Sequence, residues 1–481
     1  MSLAQVNMKI RTNRSFVTLL LLYLICTAVS FEALAADRFP PPDQLKYPRL
    51  EFTLPQAEHI ALKNGSLLFF LRDDELPLIS ISAMVRTGSM YDPEGKEGVA
   101  ELTAGLMRTG GTAKLSSAEM DNRFDFLAAS PSIAMSLDSA SINFSFLKDD
   151  LDTCLDLLAQ MVKEPAFEEE KLQLALSLKK EELRRITDNP QKLAFREFNR
   201  LLYPDDPRGR YPTFASLQNI RRDDLISFHR KYFAPSNMIF AVSGNISRQD
   251  AVNKMEHYFG NWGTSIPGLD VAPPPKKADF GLYILRKQIP QSTVVSGEFT
   301  LSKDDPDFYA FTILDFIIGS GGFSSRIFSA VRSNEGLAYS AGSFYKARAN
   351  YGVFGTYAIT KTASTIQAIQ LINDILKDVA GGSVSQSELD SAKKSILNSF
   401  IFSFVQPSQI ASQQMSIAFE KLPADFLSSY RKRIEAVSRA DLKRVAARAL
   451  NEKRRMTLIV GDVDQFGKIP EEWGQPVYLS P

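Results

Sequence analysis

A chain of 481 residues with 44% hydrophobic and 23% charged content can bury several cores, which excludes wholesale disorder and sets an expectation of roughly two to four domains. With 56 Lys+Arg against 55 Asp+Glu the formal charge is +1, and near-neutrality argues against nucleic acid as a partner. The three histidines, His59, His229 and His257, never stand four residues apart, which argues against a catalytic zinc held by imidazoles of this chain alone.

At the start, Lys9, Arg11 and Arg14 precede the apolar run Phe16 to Val29, and Ala33-Leu34-Ala35 offers a small-x-small cleavage site. This layout predicts a secretory signal peptide over residues 1–35, and hence export across an inner membrane, with a bacterial periplasm as the expected compartment. Cys26 lies in the apolar run behind Ile25, which is too bulky for a typical lipoprotein cleavage site. Removing residues 1–35 takes away three basic residues and one acidic one, so the charge becomes −1. The single remaining thiol, Cys154, cannot form an internal disulfide, and in DLDTCLDLLAQMV it sits on an amphipathic helix where it packs as a small hydrophobe. No later run reaches the ~18 uninterrupted apolar residues that a membrane span needs.

Strands are expected at Leu78 to Val85, Ser141 to Phe146 and Gly352 to Ile359, alternating with long helices. One helix is read from Gly98 to Thr112, GVAELTAGLMRTGGT, with Val99, Leu102 and Leu106 as its apolar stripe and Gly110-Gly111 ending it. His229 falls in the helical stretch LISFHRKYF, where a packing role outweighs general base catalysis. The basic-aromatic run His229 to Phe233 is short and followed by Ala-Pro, so it reads as a helix terminus rather than a nucleic-acid patch.

Laid on itself at an offset of 217, the chain matches Ile220 to Ile246 with Val437 to Val463, each a helix, a turn and a buried strand. In both copies an aspartate opens the helix, at Asp224-Leu225 and Asp441-Leu442. The same offset places the helical stretch from Phe167 over that from Val384. Two homologous halves follow: an α+β chain in which each half is a mainly antiparallel sheet with helices on one face, residues 45–262 and 278–465. The Pro- and Gly-rich segment 263–277 is the expected linker, joining the halves into a clamshell. The tail, 466–481, is punctuated by prolines and is expected as surface coil.

In the second half, Gly319 to Tyr345 reads GSGGFSSRIFSAVRSNEGLAYSAGSFY. The guanidinium of Arg332 offers forked donors to carboxylate or carbonyl oxygens, and the phenol of Tyr339 can donate to an oxygen gaining charge. Gly319, Gly321 and Gly322 permit a tight turn or close approach of backbone to a ligand. No Gly-Lys-Ser/Thr ending follows, which removes a phosphate-loop reading, and no G-x-S-x-G occurs.

Together these stretches resemble the pitrilysin/insulinase-type (inverzincin) zinc peptidases, over roughly residues 45–465. The resemblance implies that the helix Gly98 to Thr112 corresponds to the zinc helix, whose H-x-x-E-H ligands and base fall here on Glu101, Ala104 and Gly105. It places the third ligand on Glu182 and the peptide-contacting Arg and Tyr on Arg332 and Tyr339. The metal motif is therefore replaced while the peptide-contacting pair is retained. Glu182, near Lys179 and Arg185, is then expected as a helix surface charge.

Some members of that family are dimers in which one chain carries the zinc helix and the other supplies the Arg/Tyr pair. This chain resembles the second type: an exported subunit without a cofactor of its own, binding peptide or unfolded polypeptide beside a similar-sized H-x-x-E-H partner that holds zinc. The alternative is a non-enzymatic peptide-binding or assembly protein of the same fold. A third reading is an independent hydrolase using Glu101 or Glu182 with another cation, although Ca²⁺ or Mg²⁺ sites usually need more oxygen ligands than two carboxylates, or a phosphate substrate.

Overall fold

The computed structural model describes residues 54–263, 272–274, 280–450 and 454–479. The expected signal peptide, the start of the first half and most of the expected linker lie outside them.

Alternation of apolar and small polar residues builds the strands. In Leu78–Val85, Ile79, Ile81, Ala83 and Val85 all point into the core. The first sheet contains β1 (Glu58–Ala61), β2 (Leu67–Arg72), β3 (Leu78–Val85), β4 (Ser132–Met135), β5 (Ala140–Leu147) and β6 (Met238–Gly244), in the order β1-β2-β6-β3-β5-β4. The second contains β7 (Gly281–Arg286), β8 (Gln291–Thr300), β9 (Ala338–Ala347), β10 (Gly352–Lys361), β11 (Met456–Gly461) and β12 (Val477–Leu479), in the order β12-β7-β11-β8-β10-β9.

The two orders are equivalent strand for strand apart from the first edge. In each sheet a late strand, β6 or β11, inserts between two early ones, parallel to one neighbour and antiparallel to the other. These late strands are the ones in the sequence repeat. The repeated aspartates cap the helices before them: the Asp224 carboxylate accepts from the Arg221 N–H at 2.8 Å, and that of Asp441 from the Ser438 N–H at 2.9 Å. The α+β class and the two homologous halves are thus present as read.

Each sheet packs its own half's helices on one face. In the first half Cys154, Leu155 and Leu158 of the helix Leu151–Lys163 join Val99, Leu102 and Leu106 of the helix Val99–Thr109 against β3 and β5. Cys154 is fully buried, and burial pushes its thiol up to about 12, so it behaves as a hydrophobe. The tail is not coil throughout. Val477–Leu479 pairs in parallel with β7 and closes the edge that β1 closes in the first sheet. The free backbone groups of β7 outweigh the proline punctuation around this short apolar segment.

The other face of each sheet is covered by a helix from the opposite half. Leu193, Phe198 and Leu202 of the helix Pro190–Leu202 pack on Val295, Leu458 and Val460 of the second sheet. Ala411 and Met415 of the helix Pro407–Phe419 pack on Phe69 and Ala241 of the first. These helices begin 217 residues apart, each with proline in its first turn, so the exchange is reciprocal and belongs to the repeat. Helices on one face only is therefore an incomplete description. Phe69 and Leu458 are apolar on the second face too, and large side chains of this kind stabilise by roughly 1.5–3 kcal/mol each when buried.

Candidate functional site

The helix Val99–Thr109 is held at its start by Asp92, whose carboxylate accepts from the N–H of Gly98 at 2.8 Å and of Ala100 at 2.7 Å. Burial lifts the Asp92 carboxyl to about 6 despite these hydrogen bonds. Ala104 is buried, whereas Gly105 is exposed and has nothing within 4 Å of where a Cβ would stand. Glu101 is exposed, and across from it the helix Glu169–Arg185 brings up Glu182 and Lys179. The Lys179 ammonium lies between the two carboxylates, 2.7 Å from Glu101 and 2.9 Å from Glu182. Burial presses its pKa down, but the hydrogen bonds to Glu101 and Glu182 outweigh that and hold it above the usual lysine range.

Of the four positions expected from the resemblance to correspond to zinc ligands and base, Glu101 and Glu182 are brought together while Ala104 and Gly105 offer no donor. The two carboxylates share the Lys179 ammonium. These residues do not fit zinc. Among the described residues no cluster of three or more His, Cys, Asp and Glu side chains could hold a metal ion. Sequence reasoning placed Lys179 beside Glu182 but missed its bond to Glu101, which only the crossing of two helices creates. His229 has the packing role expected of it: its ring stacks 5.2 Å from that of Phe233, and Nε2 lies 2.8 Å from the Val162 carbonyl.

The second-half signature is built differently. Residues Phe316–Ser320 and Phe328–Asn334 are wound as π-helical turns, with the Gly321 N–H reaching back to the Phe316 carbonyl and the Glu335 N–H to that of Ala330. Gly319 is buried against β9, where a Cβ would stand 2.2 Å from the Ser343 nitrogen. Gly321 lies close on Phe316, where a Cβ would stand 2.6 Å from the carbonyl oxygen, and Gly322 turns the chain at φ +62. Below them Asp315 is buried; desolvation raises its carboxyl to about 6, and the Ser343 hydroxyl donates to it at 2.5 Å. Arg326 locks the turn to the helix Gln386–Ile401 by two bonds to Glu388, at 2.7 and 2.9 Å.

On this base stand Arg332 and Tyr339. The guanidinium lies 5.5 Å from the Tyr339 ring and 4.8 Å from that of Phe328. Register shifts where Thr360 faces Ala338 and Ile359 faces Ser340, so Tyr339 is the extra residue of a β-bulge and is 76% exposed. Neither side chain has a hydrogen bond or ion pair among the described residues.

Between the halves lies a cavity of about 370 Å³. The first half contributes Asp92, Glu101 and Arg210, and the second contributes Lys346, Arg348 and Tyr351. Arg348 reaches across to Asp138 at 3.3 Å. The cavity wall includes Glu101 from the former metal positions but none of Arg332, Tyr339 and Gly319 to Gly322. Its cations carried no sequence motif, since Arg208 and Arg210 come from a turn of one half and Lys346 and Arg348 from the end of a strand and the residues after it in the other.

Comparison with known proteins gives two family matches: "Insulinase (Peptidase family M16)" over residues 71–211 and "Peptidase M16 inactive domain" over residues 219–396. An uncharacterized zinc protease of Rickettsia bellii is 26% identical over 339 residues, spanning 70% of this chain and 81% of that protein. A crystal structure described as a peptidase M16 inactive domain, from Pseudomonas fluorescens, superposes with a TM-score of 0.80 at 23% identity, covering 86% of this chain and all of that one. A protease from Helicobacter pylori gives 0.77 at 22%, covering 85% of this chain and all of that one. The two superpositions establish a shared fold.

Proposed function

The chain belongs to the insulinase (M16) peptidase family, and from that premise we propose that it is an exported, non-catalytic subunit of a two-chain zinc peptidase, binding peptide beside a zinc-bearing partner of similar size. The observation that carries this reading is the contrast between Glu101 and Glu182 closed by the Lys179 ammonium and an Arg332/Tyr339 pair left without a hydrogen bond or ion pair among the described residues. A guanidinium and a phenol stacked side by side can hold a peptide carbonyl and donate to an oxygen that gains charge as the carbonyl is attacked. The chemistry of water activation belongs to the partner, which supplies the metal. The amino-terminal signal pattern supports a periplasmic setting for both chains.

The test begins with affinity purification of the tagged mature chain from its host, with mass spectrometry of what stays bound. A similar-sized H-x-x-E-H protein in equal amount is expected, and Arg332→Ala or Tyr339→Phe should then lower turnover of the complex at least ten-fold, about 1.4 kcal/mol, with assembly intact. Unchanged turnover in both variants removes the assigned role. Repeated recovery of the chain alone, binding peptide, moves the reading to a non-enzymatic peptide-binding protein.

A further inference from the structure

We infer that the cavity between the halves recognises a carboxylate of its peptide ligand, gripped between Arg210 of the first half and Lys346 of the second. The inference rests on the peptide-binding reading and names the class of peptide.

The charges that line the cavity do not all find ion-pair partners among the described residues. Four cations, Arg208, Arg210, Lys346 and Arg348, and two carboxylates, Asp92 and Glu101, line the cavity. Arg208 is held by both oxygens of Asp206, at 2.9 and 2.8 Å, and Arg348 by Asp138. Both acids are engaged as well, Asp92 by two backbone N–H groups and Glu101 by Lys179. Two cations remain. Arg210 makes one long contact, 3.4 Å to the Met90 carbonyl, and its Nε is buried with no partner. Lys346 has no ion pair or hydrogen bond among the described residues; its ammonium lies 5.6 Å from the Phe344 ring.

Nε itself is closed to solvent, but the Arg210 and Lys346 charges lack an ion-pair partner among the described residues, and a carboxylate entering the cavity supplies one. Arg210 is planar and forked, suited to a carboxylate, while Lys346 adds a point charge from the facing wall. Phe195, Tyr211 and Tyr351 supply aromatic surface for the neighbouring part of the ligand. The volume falls in the range of roughly 300–1,000 Å³ usual for ligand sites, enough for a few residues of a peptide rather than a folded domain. Because the two cations come from different halves, the ligand also ties the halves together.

The experiment measures binding by fluorescence anisotropy to the full mature chain. The probes are one labelled peptide with Asp and Glu side chains, its Asn/Gln counterpart, and each of these with a free or amidated C-terminus. The acidic peptides are expected to bind at least about ten-fold tighter, with Arg210→Gln and Lys346→Gln each removing about ten-fold from the carboxylate-bearing peptides and little from the amides. A requirement for the free C-terminus alone assigns the site to a chain end; a requirement for side-chain acids alone assigns it to an internal acidic segment. Both support the inference.

Equal affinity for charged and amidated peptides overturns it, as does full competition by inorganic phosphate at equal concentration, which marks a general anion site. If Arg210→Gln loses its cooperative melt, Lys346→Gln on the exposed strand edge decides. Failure of every peptide to bind, neutral ones included, overturns the peptide-binding reading itself, whereas charge-blind binding overturns only the present inference.

Discussion

The helix crossing at Glu101 and Glu182 and the second-half signature answer differently when their charged groups are traced to partners. At the first, Glu101, Glu182 and Lys179 close on one another, and the capping acid Asp92 is closed by backbone N–H groups. At the second, an internally satisfied base of Arg326, Glu388, Asp315 and Ser343 lifts two unsatisfied groups, Arg332 and Tyr339, to the surface. Self-satisfied charge leaves a ligand little to gain, whereas exposed polar groups on a rigid, tightly packed base meet the requirement of the contact surface proposed above.

This contrast predicts opposite tolerance to added atoms. Gly319→Ala drives a methyl group into the Ser343 backbone, and because the clash is with backbone rather than a movable side-chain tip, it should cost about 3 kcal/mol, at the upper end of overpacking. Urea unfolding of the variant measures it; a change below about 0.5 kcal/mol would mean that the signature is not rigidly packed. A second difference is set by pH. Burial pushes His229 in the first half down to about 4, with the Val162 hydrogen bond only partly opposing it. The unfolded chain binds this proton near the ordinary value of 6.5 and the folded chain does not, so stability present above pH 6.5 is lost as pH falls toward 4, by about 3 kcal/mol. Asp315 in the second half has the reverse sign: raised from 3.8 to about 6, its contribution is greatest below 3.8 and lost as pH rises to 6. His229→Gln should flatten the acid limb of the melting profile, and Asp315→Asn the limb between pH 4 and 6. If neither variant changes its limb, these groups are not the ones whose burial differs between the halves.

Sequence periodicity carried much of this architecture because it reports faces. The strand Leu78–Val85 and the helix ending at Gly110 stand where alternation and the apolar stripe put them, and the 217-residue repeat marks β6 and β11 as the equivalent inserted strands. What periodicity could not carry is partnership between distant segments. The exchange of Pro190–Leu202 for Pro407–Phe419 leaves each helix with an ordinary amphipathic sequence, and only the shared offset and first-turn proline hint at it. Likewise Lys179 stands 78 residues from Glu101, and Arg210 meets the cavity wall of Lys346 through tertiary packing alone. The edge strand Val477–Leu479 was hidden for the same reason: three residues have no period, and their pairing is decided by the vacant edge of β7.

Two smaller effects sharpen the comparison at the vacated site. Lys179→Met should cost about 1 kcal/mol, since the ammonium is largely buried while both carboxylates are mostly exposed and screened. The bridge raises the folded-state pKa, so the deficit should be present below the ordinary lysine value of 10.5 and close as pH rises through the raised value. A variant as stable as the parent at neutral pH would mean that the ammonium does not brace the two helices.

Gly105→Ala is the smallest change and the most diagnostic. Gly105 lies inside the helix Val99–Thr109, exposed, with open space around its missing Cβ, so alanine there should raise stability by somewhat under 1 kcal/mol through helix propensity alone. The gain should appear in thermal melts of the isolated chain and leave assembly and turnover of any complex unaltered. Together with Gly319→Ala this gives glycines of opposite sign, one whose replacement helps and one whose replacement breaks packing. A stable Gly105→Ala chain that no longer assembles, or assembles without supporting turnover, would show that the exposed face of the vacated helix touches the partner or its substrate. The two regions would then differ in what they contact rather than in whether they still work.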